Sequence, residues 1–207
     1  MGASQIHRPT TRRYTSDQIN ASRELYSRPV SYNRYPDYDR LCHGAIPANL
    51  GYGAIAIQPL TGDELKWLQH MREEEKLARD VYKVLYEKWN FVVFQNIMAS
   101  EENHFTAIGT LLTRYGAAAP ALSSAGAYSD PALNVLYSQL LTKGMESAQA
   151  ALEVGAAIEK LDIADLGDAM KAALKLAIKR VYSNLMNGSY NHLHAFETVC
   201  TLTVASN

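Results

Sequence analysis

The stretch 60-LTGDELKWLQHMREEEKLARDVYKVLYEKW-89 decides the fold. Thr61 followed three residues later by Glu64 has the form of a capping box, in which each side chain accepts from the other residue's backbone N–H. Beyond it Leu68, Met71, Ala78, Tyr82, Leu85 and Trp89 keep to the three- and four-residue steps of one helical face. The period skips one step, and Glu75 stands in the gap. A carboxylate there points inward, where burial without a cation, a proton or a hydrogen-bond partner is heavily penalised. Of its neighbours, Glu73 is expected on the outer face and Glu74 on the flank.

The next segment repeats the anomaly. A second helix is expected from about Val92 to Tyr115, with Gly116 in the position a C-terminal cap prefers. Inside it, 99-ASEENHF-105 places Glu101 and His104 between Ile97 and the pair Ile108 and Leu111, so both face inward while Glu102 and Asn103 face out. Residues three apart on a helix share a face and can grip a single object.

Further along, 116-GAAAPALSSAGAYSDP-131 reads as loop and 130-DPALNVLYSQLLTKG-144 as a shorter connecting helix with Pro131 in its first turn. A third main helix is expected over about Met145 to Leu161, a short one over Ile163 to Ala173, and a fourth over Leu174 to Thr201. On the third, Leu152, Ala156 and Ile158 outline the buried side, and Glu159 lies on it. Asp162 follows one turn later, where it reads equally as an N-cap for the short helix with Asp165 three residues on. On the fourth, 186-MNGSYNHLHAF-196 aligns His192 with Leu185 and Phe196 and rotates His194 to the surface. Gly188 inside this helix costs about 1 kcal/mol relative to alanine, a cost tolerated for close packing or for room at a site. Ser189 occupies the place before His192 that Glu101 holds before His104.

No segment alternates apolar and polar residues over strand length, so the fold class is all-α. Four long helices with one extended connection, between the second and third, point to a four-helix bundle with a long crossover. The inward donors then come in the order Glu75, Glu101 with His104, Glu159, His192. This is the ferritin-like carboxylate arrangement, in which carboxylates bridge two divalent cations and one imidazole caps each.

The bulk properties narrow the partners. With 207 residues and a net charge of -1, the chain has one sizeable core and no basic surplus for nucleic acid or an anionic membrane. Cys42 and Cys200 lie far apart, without zinc-finger spacing, and read as unrelated thiols. No apolar run is long enough to span a bilayer, and no hydrophobic region follows Arg12-Arg13, so a soluble, cytoplasmic protein is expected. Residues 1–58 contain no lysine and are rich in Arg and Tyr, as in 26-YSRPVSYNRYPDYDRL-41. They are expected to form an irregular N-terminal arm, either extended along its own domain or in assembly contacts of a homo-oligomer. Residues 59–207 form the bundle.

At its inward donors the sequence resembles the ferritin-like superfamily and rubrerythrin-type proteins in particular, whose first-helix ExxARxxY pattern is similar to 75-EKLARDVY-82. The closer resemblance is to the ferritin-like family DUF2202, carried by 71-MREEEKLARDVY-82, 99-ASEENH-104, 154-VGAAIEKLDIADL-166 and 188-GSYNHLHAF-196. The resemblance implies Glu75, Glu101, His104, Glu159 and His192 as metal ligands and iron as cofactor, two per chain, with manganese or a mixed iron and manganese pair as variants. Tyr82 would lie close to the metals in a catalytic role. Ser189 departs from the wider pattern, which has a glutamate there. Either Asp162 supplies the missing carboxylate, or the second metal is weakly held, down to a mononuclear site. No rubredoxin-like cysteine module is present, so electrons would come from an external donor. The expected activity is turnover of peroxide or oxygen, with iron storage without turnover, or an assembly subunit built on a degenerate site, as alternatives.

Overall fold

The computed structural model of the protein describes residues 58–119 and 122–205, and all of its regular structure is helical. Five helices follow one another among the described residues: α1 Gly62–Trp89, α2 Val92–Arg114, α3 Pro131–Gly144, α4 Ala148–Ala172 and α5 Leu176–Ala205. No strand occurs among the described residues, and no helix there is long and apolar enough to cross a membrane. The arm expected over residues 1–58 lies, but for Gln58, outside the described residues, as does Cys42.

The helix ends follow from their residues. Thr61 accepts from Glu64 N and Glu64 accepts from Thr61 N, closing the capping box at the start of α1. Asn90 ends α1 in the left-handed conformation (φ 56°), which asparagine tolerates better than most residues. Gly116 (φ 68°) ends α2 by a Schellman pair, with Gly116 N donating to Thr113 O and Ala117 N to Leu112 O. Asp130 caps α3 through Ala132 N, with Pro131 in the first turn, and Ser147 caps α4 through Ala150 N.

Two expectations are corrected here. The third helix and the short helix after it are one continuous element, α4, and Asp162 sits in its middle with a buried side chain instead of capping a new start. Nothing between Leu161 and Ile163 breaks the backbone, and the Asp162 carboxylate has a partner across the interior in Ser189. Glu73 and Glu74 are also buried rather than outward or flanking. Glu73 is covered by the start of α3, accepting from Ser129 N (2.6 Å) and Asp130 N (3.1 Å).

Contacts along α1 and α2 run in opposite directions, pairing Arg72 with Phe105, Glu75 with His104 and Tyr82 with Phe94. The pair α4 and α5 does the same through Gly155 with Phe196, Glu159 with His192 and Asp162 with Ser189. The two hairpins meet through α1 on α4 and α2 on α5. Residues 115–147 carry the chain from one end of α1, where Gln69 donates to Ala118 O, to the other, where Trp89 Nε1 donates to Gly144 O. Midway, Lys76 clamps this segment by donating to Ser124 O, Ala127 O and Asp80, while Asp80 accepts from Gly126 N and Tyr128 OH. At the Thr61 end, Glu64 accepts from Leu174 N, Lys175 N and Lys175 Nζ and ties α1 to the α4–α5 turn.

The core has two apolar clusters. One gathers Tyr82, Phe94, Ile158 and Phe196 with their neighbours, and the other Leu68, Met71, Ile108, Tyr182 and Leu185 with theirs. Between them lies a buried layer of carboxylates and imidazoles.

Candidate metal centre

The polar layer is built by helical register. Glu75 projects from the middle of α1, Glu101 and His104 from successive turns of α2, Glu159 and Asp162 from successive turns of α4, and Ser189 and His192 from successive turns of α5. Glu75, Glu101, Glu159, Asp162 and Ser189 are all buried, and the two histidines nearly so. All six ligand candidates read from the sequence are therefore brought into one layer.

Glu101 is at its centre. Its Oε2 lies 2.9 Å from His104 Nδ1, and its Oε1 lies 2.8 Å from His192 Nδ1. Glu75 Oε2 reaches the same His104 nitrogen at 3.3 Å, and Glu159 Oε2 reaches the same His192 nitrogen at 3.4 Å. Two three-residue groups, Glu75–Glu101–His104 and Glu101–Glu159–His192, thus share Glu101, and within each the donor atoms lie within 4.8 Å of one another. The two imidazoles face each other with ring centres 5.6 Å apart.

The donors are arranged for more than one another. His192 Nδ1 and Glu101 Oε1 are at hydrogen-bond distance but misaligned, and neither has a hydrogen-bond partner; Glu75 Oε1 and Asp162 Oδ1 are buried without one as well. Buried polar atoms are nearly always paired, so four orphans in one layer call for an explanation. Two atoms held side by side on a cation at about 2.1 Å each lie about 3 Å apart and need no mutual alignment. The donor set of carboxylate oxygens and imidazole nitrogens therefore fits divalent metal.

Protonation in the metal-free chain follows from crowding. Burial, then the charges of Asp162 and Glu101, push the Glu75 carboxyl far above its usual range. Burial and the Glu159 charge do the same to Asp162, and burial with the Glu101 charge lifts Glu159 to about 7. Burial opposes ionisation of Glu101 too, but His104, hydrogen-bonded to Oε2, and the nearby His192 imidazole outweigh it and hold the group at about 2. Burial disfavours the His192 imidazolium, yet Glu101 and Glu159 raise it to about 10. The layer thus balances its carboxylates partly with protons, the places a cation would take.

The surroundings fix the donors. Tyr82 OH donates to Glu159 Oε1 at 2.6 Å and leaves Oε2 turned toward His192. Ser189 Oγ sits against both Leu185 O (3.0 Å) and Asp162 Oδ2. Its single proton serves one of them, and a proton on Asp162 satisfies both contacts. Asp162 Oδ1 has no hydrogen-bond partner, and Asp162 lines a small cavity together with Glu74, Glu75, Glu101 and Glu159. Gly188 leaves room for the His104 ring. Tyr82, Phe94 and Phe196, with ring centres 5.2–5.9 Å apart, seal one side.

His194 is exposed, as expected, and Glu153 is exposed away from the layer. A neighbouring group had not been read from the sequence: His70, Glu74 and Asp165 also bring one donor atom each within 4.8 Å of one another. The available signal was spacing, since His70 is one turn before Glu74 and Asp165 one turn after Asp162.

Residues 64–203 match the family described as "Uncharacterized protein domain (DUF2202)". A relative, "Uncharacterized protein MJ0754" of Methanocaldococcus jannaschii, is 48% identical over 140 residues, covering 67% of this chain and 76% of the relative. A crystal structure of hypothetical protein MJ0754 from Methanococcus jannaschii superimposes with a TM-score of 0.70 at 44% identity, over 72% of this chain and 86% of that one. A crystal structure of a DUF305 fragment from Deinococcus radiodurans, 17% identical, superimposes with a TM-score of 0.55 over 70% of this chain and 99% of that one, a likeness of fold alone.

Proposed function

The chain belongs to the DUF2202 family, and from that premise and the donor geometry we propose that it is a ferritin-like di-metal protein, binding iron or an iron and manganese pair and acting on peroxide or oxygen. The antiparallel hairpins, with residues 115–147 returning the chain to the opposite end, support reading the fold as a ferritin-like four-helix bundle with a long crossover.

The observation that carries the proposal is the placement of Glu101, one carboxylate with the His104 imidazole of its own helix against one oxygen and the His192 imidazole of α5 against the other. Glu101, His104 and His192 would thus be placed to hold a pair of divalent cations together. Glu75 would complete the position beside His104 and Glu159 the one beside His192. Asp162, which lines the cavity and whose Oδ1 has no hydrogen-bond partner, would supply the carboxylate that Ser189 does not. Such a metal pair supplies one-electron redox steps and open coordination positions for an oxygen species.

The chain's own residues do the rest. Tyr82 holds Glu159 by its hydroxyl and stands as a nearby donor of a proton or electron. Ser189 holds Asp162, keeping one of its oxygens engaged while the other is left without a partner. The aromatic cluster on one side and the Leu68 cluster on the other limit water to the cavity between them.

The test is elemental analysis of protein purified under mild conditions, with Glu101→Ala alongside, followed by peroxide consumption by the iron-loaded chain. We expect about two iron or manganese ions per chain, lost in the variant, and peroxide consumption abolished by His104→Ala. Unchanged consumption in His104→Ala would sink the proposal. Saturation at one ion would reduce it to a mononuclear site.

A further inference from the structure

We propose that His70, Glu74 and Asp165 form a second, outer divalent-cation site beside the centre described above. His70 Nε2 lies 3.3 Å from Glu74 Oε1 and 3.7 Å from Asp165 Oδ2. His70 and Glu74 are one helical turn apart on α1, and Asp165 faces them from α4, so the three are positioned by two rigid elements rather than by loops.

Three acidic and imidazole groups together do not make a site, but Glu74 adds an independent observation. Its residue is 5% exposed, and neither carboxylate oxygen has a hydrogen-bond partner. The bland alternative is an ion pair in which a protonated His70 neutralises the two carboxylates. That arrangement would balance charge, yet it leaves both Glu74 oxygens without an aligned donor in a buried position, a state proteins rarely maintain. A cation held by all three side chains gives the Glu74 carboxylate the partner it lacks.

The donor set defines the ligand class. One imidazole nitrogen with two carboxylates suits Mn²⁺, Fe²⁺, Co²⁺ or Zn²⁺, and disfavours soft Cu⁺, which takes thiolate or thioether. Its place in the fold is equally specific. The His70 side chain is 23% exposed, its ring packed edge-on against Trp67, whereas Glu74 and Asp165 behind it are buried. Glu74 also lines the cavity shared by Glu75, Glu101, Glu159 and Asp162. Carboxylates therefore run without a gap from a solvent-touching histidine to the inner layer. A cation arriving from that side meets His70 first; this inward route, unlike the outer site itself, rests on the inner metal centre.

The deciding experiment uses crystals of the full chain equilibrated with Zn²⁺, with anomalous diffraction at the zinc edge, on wild type, His70→Ala and Glu101→Ala. Calorimetric Co²⁺ titrations of the same three proteins count ions in solution. We expect wild type to show a peak among His70, Glu74 and Asp165 in addition to the inner density. His70→Ala should lose the outer peak and one Co²⁺ equivalent while keeping the inner ions, and Glu101→Ala should lose inner ions and keep the outer one. Asp165→Asn serves as a second variant with the same expected loss. Wild type with inner density alone overturns the outer site and leaves the metal centre standing. An outer peak that survives His70→Ala overturns the assignment of its ligands, and metal at neither place overturns both proposals.

Discussion

Gly188 on α5 lies directly against the His104 imidazole on α2: a Cβ at 188 would stand 2.8 Å from both Cε1 and Nε2 of the ring. The glycine inside the helix is thus explained by the histidine it accommodates. In Gly188→Ala the ring must move, because an approach that close does not occur between real atoms. The fold gains up to about 1 kcal/mol of helix propensity, partly offset by the displaced ring. The expected outcome is an unchanged or slightly raised melting temperature with metal affinity reduced about 10- to 100-fold, as for residues that orient a ligand. Thermal melts of the metal-free protein and metal titrations, run side by side, separate the two effects.

Metal-depleted protein should lose stability as pH rises. His192 is raised to about 10 from 6.5, so its contribution is complete below 6.5 and is lost as pH climbs through 10. Glu159 is raised to about 7 from 4.5, and ionising it against Glu101 costs stability over that interval too. Both effects have the same sign. Chelated protein should therefore melt at least about 5 °C lower at pH 9 than at pH 5, and bound divalent metal should remove most of that slope. Scanning calorimetry against pH, with and without metal, checks both parts; a flat profile for the depleted chain would contradict the protonation scheme.

Tyr82→Phe removes the hydroxyl that holds Glu159 and leaves the ring in its aromatic cluster. The hydrogen bond is to a carboxyl group, so a loss of about 1–3 kcal/mol is expected. Metal stoichiometry should be retained, because the ligands are intact. Peroxide turnover should fall if the hydroxyl serves as proton or electron donor, and equal turnover by the variant would confine Tyr82 to positioning.

At the opposite end of α1, Glu64 gives a prediction free of metal. Burial opposes its charge, but Lys175 and the backbone donors of Thr61, Leu174 and Lys175 outweigh it and lower the group to about 2 from 4.5. A depressed carboxyl contributes stability above 4.5 that disappears as pH falls through 2. Glu64→Gln should cost about 1–3 kcal/mol at pH 7, and the gap from wild type should narrow between pH 4.5 and 2. Urea unfolding at several pH values measures it.

The face of each helix that carries the site was legible because a helical period registers interruptions. Glu75, Glu101, His104, Glu159 and His192 each replace an apolar residue on a buried stripe, and all five converge. Asp162 was ambiguous for a physical reason, since an aspartate before a polar-apolar run is also a good N-cap; only the packing of Ser189 against it decides. Burial of Glu73, Glu74 and Lys76 was not legible. For Glu73 and Lys76 the cover comes from residues 124–130, some fifty positions away, and a periodic pattern on one helix carries no record of what a distant connection will lie upon. The His70 group escaped for a related reason, because Asp165 joins it from another helix.

The antiparallel hairpins have a consequence for assembly of the chain. Glu75, Glu101 and His104 all belong to α1–α2, and Glu159, Asp162 and His192 all belong to α4–α5, with the described residues of 115–147 between them contributing no candidate ligand. Each hairpin alone is half a chelator, and the shared Glu101 finds its second imidazole only when the halves dock. With the proposed metal pair bound, metal retention would be a readout of docking, and a cation captured early would act as the rivet that selects the correct pairing of the two halves.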